Sequence, residues 1–275
     1  MIIDAHQHFW IYDPVRDSWI DESMQILKRN FLPEDLAPVI KENSIDGTIA
    51  VQADQSENET NFLLGLAEKN TWVSGVVGWV DLMAQDIEEK LEHFSSYKKL
   101  KGFRHIVQAE PDENFMLNEK FRNGIGQLKN YNFTYDILIY PHQLPTAIML
   151  TEKHPDQKFV LDHIAKPSIK KKEIEPWASG IKELAMNPNV FCKISGIITE
   201  ADHRNWESKE IYPYLDIVFN AFGYDRLLFG SDWPVCLLAG LYNQVINLID
   251  EYMKNASDEN KEKIFGKNAV SFYNI

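Results

Sequence analysis

Two histidines one residue apart, His6 and His8, close the segment Met1-Ile2-Ile3-Asp4-Ala5-His6-Gln7-His8. On a strand, side chains alternate between faces, so both rings project from one face about 7 Å apart and can share an ion or a substrate. Histidine is also a frequent polar core residue, so the pair gains meaning only from partners elsewhere. Those partners recur after apolar runs: Arg104 and His105, Tyr140, Asp162 and His163, Lys193 and Ser195, and Asp232 followed by Trp233 and Pro234. Three imidazoles (His6, His8, His163) and one carboxylate (Asp232) form a ligand set suited to one divalent ion, zinc above all, with room for water. The same four groups also suit metal-free chemistry, with Asp232 taking a proton from water and the histidines stabilising an oxyanion. The residue types alone leave both routes open.

Such a set needs elements that bring distant segments to one point. Strand starts fall near residues 2, 47, 73, 101, 134, 158, 190 and 226, each followed by a helical stretch, as in Tyr135 to Tyr140 with Gln143 to Lys153. Residues 9 to 44 read as a long loop ending in a short helix from Pro33, and a helix is expected over Lys172 to Ala185. Apolar strands alternating with helices imply a parallel sheet covered on its outer face. Eight units in 275 residues predict an α/β fold, a single (β/α)8 TIM barrel forming one domain over residues 1–275. No glycine-rich dinucleotide turn follows the first strand, which argues against an open doubly wound sheet. In such a barrel the carboxyl ends of the strands share one rim, where active sites form. Parity places His163 in phase with Phe159 and Leu161 and therefore inward, with Asp162 toward the helices. Lys193 and Ser195 share a phase, as do Leu228, Gly230 and Asp232.

Composition narrows the partners. With 28 basic against 41 acidic residues the net charge is −13, and the one basic run is Lys170-Lys171-Lys172, so nucleic acid and anionic membranes are not expected partners. Two cysteines, Cys192 and Cys236, fit a reducing compartment, and no apolar run is long enough to span a bilayer. The amino terminus lacks the pattern of a signal peptide, and the expectation is a cytoplasmic protein with the possibility of a homo-oligomer left open.

The segments Asp4-Ala5-His6-Gln7-His8-Phe9-Trp10, Gly102-Phe103-Arg104-His105, Leu161-Asp162-His163-Ile164-Ala165-Lys166-Pro167, Cys192-Lys193-Ile194-Ser195-Gly196 and Phe229-Gly230-Ser231-Asp232-Trp233-Pro234, in this order, resemble the amidohydrolase superfamily. More narrowly they are similar to its amidohydrolase-related branch, which includes sugar lactonases. The resemblance implies that His6 and His8 are the paired histidines of strand one, His163 the strand-six histidine, and Asp232 the acid that handles the proton of the attacking water. Strand four ends in Arg104-His105 instead of a bridging lysine or glutamate, and strand five ends in Tyr140 with His142 beyond Pro141. The expectation is therefore a site for at most one ion.

The implied substrate is a sugar lactone, opened to an aldonic acid. Only six arginines are present, and few fall near strand ends, so a neutral, hydroxylated lactone is expected over one carrying carboxylates. Trp10 and Trp233 are placed to stack on a sugar ring, and Gln52, Arg104, His105, Tyr140 and Lys166 to hydrogen-bond hydroxyls or the carbonyl. Asp232, His163 and Arg104 are the expected catalytic groups. The alternative is non-oxidative decarboxylation of a small acid on the same barrel, which would release carbon dioxide and leave lactones intact.

Overall fold

The computed structural model describes residues 1–275. Eight strands, β1 (Ile3–Gln7), β2 (Gly47–Val51), β3 (Val73–Gly78), β4 (Leu100–His105), β5 (Thr134–Ile137), β6 (Phe159–Leu161), β7 (Val190–Ile194) and β8 (Leu227–Phe229), lie side by side in chain order. All seven pairings between them are parallel. The ring closes at its carboxyl rim, where Gln7 bridges to Trp233, the Asp232 amide donates to the His6 carbonyl at 2.8 Å, and the His8 amide donates to the Trp233 carbonyl at 2.7 Å. The fold is the expected (β/α)8 barrel.

The surrounding helices are α1 (Pro33–Glu42), α2 (Glu57–Lys69), α3 (Ile87–Ser95), α4 (Glu119–Leu128), α5 (Leu144–Lys153), α6 (Trp177–Leu184), α7 (Ser208–Phe222), α8 (Tyr242–Tyr252), and the terminal α9 (Asp258–Glu262) and α10 (Asn268–Tyr273). Helix α6 starts at Trp177, five residues later than the sequence suggests. Lys172 is left-handed, and Pro176 bars Glu175 from the helical region. No helix is long and apolar enough to cross a membrane.

Strands buried on both faces need apolar side chains on both, and two layers result. The large one, 67 residues, joins the outer strand faces to the helices. The small one, 10 residues, holds Ile3, Ile49, Val77, Val160 and Leu228 together with Phe272 and Tyr273 from α10. Most of the remaining interior is polar, which makes room for the site. Phe159 and Leu161 belong to the outer layer and Val160 to the inner one, the reverse of the expected strand-six parity.

Candidate active site at the barrel mouth

The four expected groups meet. Asp232 Oδ1 lies 3.4 Å from His8 Nε2 and 3.8 Å from both His6 Nε2 and His163 Nε2. His6 and His8 come from β1 and the residue just past it. The other two are aimed by the backbone: residues His163 to Lys166 and Asp232 all have positive φ, between 48° and 59°. L residues rarely adopt this conformation, and it persists where surrounding structure holds it, often at functional sites. Here the Lys166 amide donates to the His163 carbonyl at 2.8 Å, and the Trp177 indole donates to the Ile164 carbonyl at 2.7 Å. Asp162 points inward in phase with Val160, and the left-handed turn at His163, just past the end of β6, brings that ring to the interior as well.

Each ring is oriented by its far nitrogen. His8 Nδ1 is 2.7 Å from the Val51 carbonyl, which only accepts, so Nδ1 carries the hydrogen and Nε2 presents its lone pair. His163 Nδ1 contacts Ser195 Oγ at 2.9 Å. His6 Nδ1 lies 3.3 Å from Asp162 Oδ1, a buried acceptor without a hydrogen-bond partner. A hydrogen on His6 Nδ1 satisfies that oxygen and leaves the His6 Nε2 lone pair facing His8 Nε2 at 3.1 Å. Acceptors then face acceptors around an ionised carboxylate, an arrangement that a cation resolves. His6, His8 and Asp232 therefore fit one divalent ion, with His163 alongside.

Electrostatics favour the same state. Burial pushes His163 down to about 4 and His6 well below the usual imidazole range, so both are neutral near pH 7. Burial alone would raise the Asp232 carboxyl, but His163, His8 and His6 together hold it below its ordinary value. His6, Asp162 and His163 also lie close enough to be ion ligands, yet Asp162 already faces Arg104 Nη1 at 3.0 Å and Lys193 Nζ at 3.1 Å. A second dication there would meet two positive charges.

Below the mouth lies a buried ionic layer that sequence reasoning largely missed. Lys193 pairs with Asp136 at 2.5 Å, and all of Lys193, Asp136 and Asp162 are fully buried. Asp4 ties β1 to the turn after β8 by accepting from Ser231 Oγ at 2.6 Å, the Ser231 amide at 2.9 Å and Tyr242 Oη at 2.8 Å. The available signal was a charged residue interrupting an apolar strand, as at Asp4, Asp136 and Lys193, where burial is tolerated only with partners.

The expected substrate contacts divide. Arg104 sits at the cluster edge, with Nη1 3.4 Å from His6 Nε2, and donates also to the Gln52 carbonyl. Gln52 does not face the opening; its amide donates to the Arg104 carbonyl at 3.1 Å and holds that strand. His105 points to the outer face of β4, stacked on Phe115 at 4.7 Å and bonded to Glu110 at 2.7 Å and to the Trp79 indole at 3.3 Å, because Arg104 takes the inward phase. Trp10 and Trp233 are both core residues. Trp10 donates to the Arg29 carbonyl and packs on Phe31, while Trp233 packs on Phe9 and Phe31. The long loop after β1 needs its own apolar anchor, and they provide it. Tyr140 is 39% exposed, and Lys166 Nζ lies 5.8 Å from its ring.

The chain is 37% identical to L-fucono-1,5-lactonase of Burkholderia multivorans over 282 residues, covering 98% of this chain and 95% of that protein. It is 23% identical to L-rhamnono-gamma-lactonase of Scheffersomyces stipitis over 68% of this chain and 62% of that protein. A crystal structure of an amidohydrolase from Burkholderia multivorans with bound zinc superposes with a TM-score of 0.97 at 36% identity, covering 100% of this chain and 99% of that one. The amidohydrolase family model matches residues 3–275, and the chain belongs to that family.

Proposed function

We propose that residues 1–275 act as one catalytic domain that opens a neutral sugar lactone, with L-fucono-1,5-lactone the first candidate, to the aldonic acid. The observation that carries the reading is the cluster itself: three imidazole Nε2 atoms within 3.8 Å of one oxygen of an ionised Asp232. The 37% identical L-fucono-1,5-lactonase supports the substrate class, and the zinc-bound relative supports the ion.

His6, His8 and Asp232, with His163, would hold one zinc ion. When bound, zinc polarises an acyl oxygen and favours ionisation of an adjacent water. Asp232 takes a proton from the attacking water as the new carbon–oxygen bond forms. Arg104, at the cluster edge, stabilises the negative charge that develops on the carbonyl oxygen. Asp232 then returns the proton to the departing ring oxygen, and the carbon–oxygen bond of the ring breaks. Ser195 and Val51 hold the His163 and His8 rings in the required orientation, as outer partners of ligating histidines do. Tyr140 and Lys166 are the rim groups we assign to the sugar hydroxyls. The buried free thiols Cys192 and Cys236 support a cytoplasmic setting.

A panel of neutral aldonolactones followed with a pH indicator tests the reading. Acid release from at least one sugar lactone is expected. Carbon dioxide release from a small acid with every lactone left intact would replace this function with decarboxylation.

A further inference from the structure

Lys193 Nζ faces three polar atoms: it donates to Asp136 Oδ2 at 2.5 Å and lies 3.1 Å from both Asp162 Oδ1 and His6 Nδ1. None of these groups is exposed. Below them, Tyr273 Oη lies 3.2 and 3.1 Å from the two oxygens of Asp136, and Lys193 Nζ stands 5.6 Å from the centre of the Tyr273 ring. Tyr273 belongs to α10, whose Phe272 and Tyr273 complete the small apolar layer inside the strands. A continuous polar column therefore runs from α10 to His6 at the mouth.

We propose that Asp136 and Tyr273 are positioning residues that fix His6 for ion binding by holding Lys193; this rests on the ion-dependent reading of the mouth. Lys193 and Asp162 compete for the same nitrogen of His6. If Lys193 donates to Nδ1, the imidazole hydrogen moves to Nε2 and blocks the nitrogen that faces His8 and Asp232. If Nδ1 donates to Asp162, Nε2 is free for the ion. Asp136 biases the competition by holding the ammonium in its shortest hydrogen bond, 2.5 Å against 3.1 Å to His6 Nδ1. Tyr273 donates to the same carboxylate and keeps it in place. The column is also balanced in charge, with Arg104 and Lys193 against Asp136 and Asp162, so the mouth is left as a separate anionic site.

The test measures zinc-binding isotherms and lactone kinetics for Asp136→Asn and Tyr273→Phe. Tyr214→Phe serves as control, a buried hydroxyl that donates to the Glu173 carbonyl at 3.2 Å outside the column. Loss of an outer partner of a ligating histidine weakens metal binding about 10-fold or more, so Asp136→Asn should weaken zinc about 10-fold and the more remote Tyr273→Phe about 3-fold. kcat should fall in parallel, KM should stay within about twofold, and Tyr214→Phe should match wild type. If Asp136→Asn does not fold, Tyr273→Phe, which removes one oxygen atom, decides alone. Wild-type zinc affinity and turnover in Tyr273→Phe would overturn the proposal, as would a wild-type protein that binds no zinc. If wild-type protein opens no lactone, the function fails while the isotherms still decide the column.

Discussion

His6 Nε2 and His8 Nε2 face each other at 3.1 Å, with Asp232 Oδ1 3.8 and 3.4 Å from them. Two imidazole nitrogens and a carboxylate oxygen in this arrangement favour a cation, and the ion proposed for this site would add to stability as well as to chemistry. Zinc at 100 times its dissociation constant should stabilise the fold by about 2.7 kcal/mol. A chelator should lower Tm by roughly 5–10 °C, at about 2–4 °C per kcal/mol for a chain of this size, and zinc should restore it. His8→Ala should bind zinc at least about 100-fold more weakly, since loss of an outer partner alone costs 10- to 100-fold. Identical melting curves with and without chelator would count against the site.

Gly196 has φ of +61°, and a Cβ there would lie 2.6 Å from His163 Nδ1 and 3.1 Å from Asp232 Oδ2. Gly196→Ala should displace the His163 ring and strain the backbone. The expected outcome is a loss of kcat/KM on the order of 100-fold, as for a small misplacement of reacting groups, together with a destabilisation of about 1 kcal/mol or more. Kinetics and urea unfolding of the variant check both parts, and unchanged turnover would show that the loop yields without moving His163.

Glu59 is 7% exposed, and its carboxylate accepts one hydrogen bond, from the Ala53 amide at 3.2 Å. Burial raises it from 4.5 to about 7, against the opposing effects of that hydrogen bond and of Arg16. A raised carboxyl binds its proton more tightly in the folded state, so the stability it contributes is present below about pH 4.5 and lost as pH rises through about 7. Glu59→Gln keeps the acceptor and removes the charge. It should raise stability at pH 8 by at most about 3 kcal/mol and change it little at pH 4.5. Unfolding curves at the two pH values are the check, and an equal shift at both would contradict it.

The barrel and the four mouth groups were legible because eight apolar runs, each followed by a helix, leave few topologies. His6, His8, His163 and Asp232 also sit at or just past the ends of such runs. The inward phase was misassigned at strand six because Phe159 and Leu161 face the helices, so Asp162 turns inward in step with Val160, and His163 joins it only because the chain turns left-handed there. Aromatic residue type failed for Trp10 and Trp233, since an indole that packs a loop and one that stacks on a sugar look alike in sequence. His105 was misread because only one of two adjacent strand residues can face inward, and Arg104 does. The pairing of Lys193 with Asp136 was hidden because its partners are 57 residues apart and meet only inside the closed barrel.

Asp232→Asn preserves the shape of the side chain and removes the proton acceptor. The measurement that bears most directly on the account is initial-rate acid release from L-fucono-1,5-lactone by zinc-loaded wild type and Asp232→Asn, with circular dichroism of both. The account predicts a kcat/KM about 10³-fold lower in the variant with the fold unchanged, within the range of general acid–base contributions. Equal rates in the two proteins, or no acid release from wild type, would contradict it.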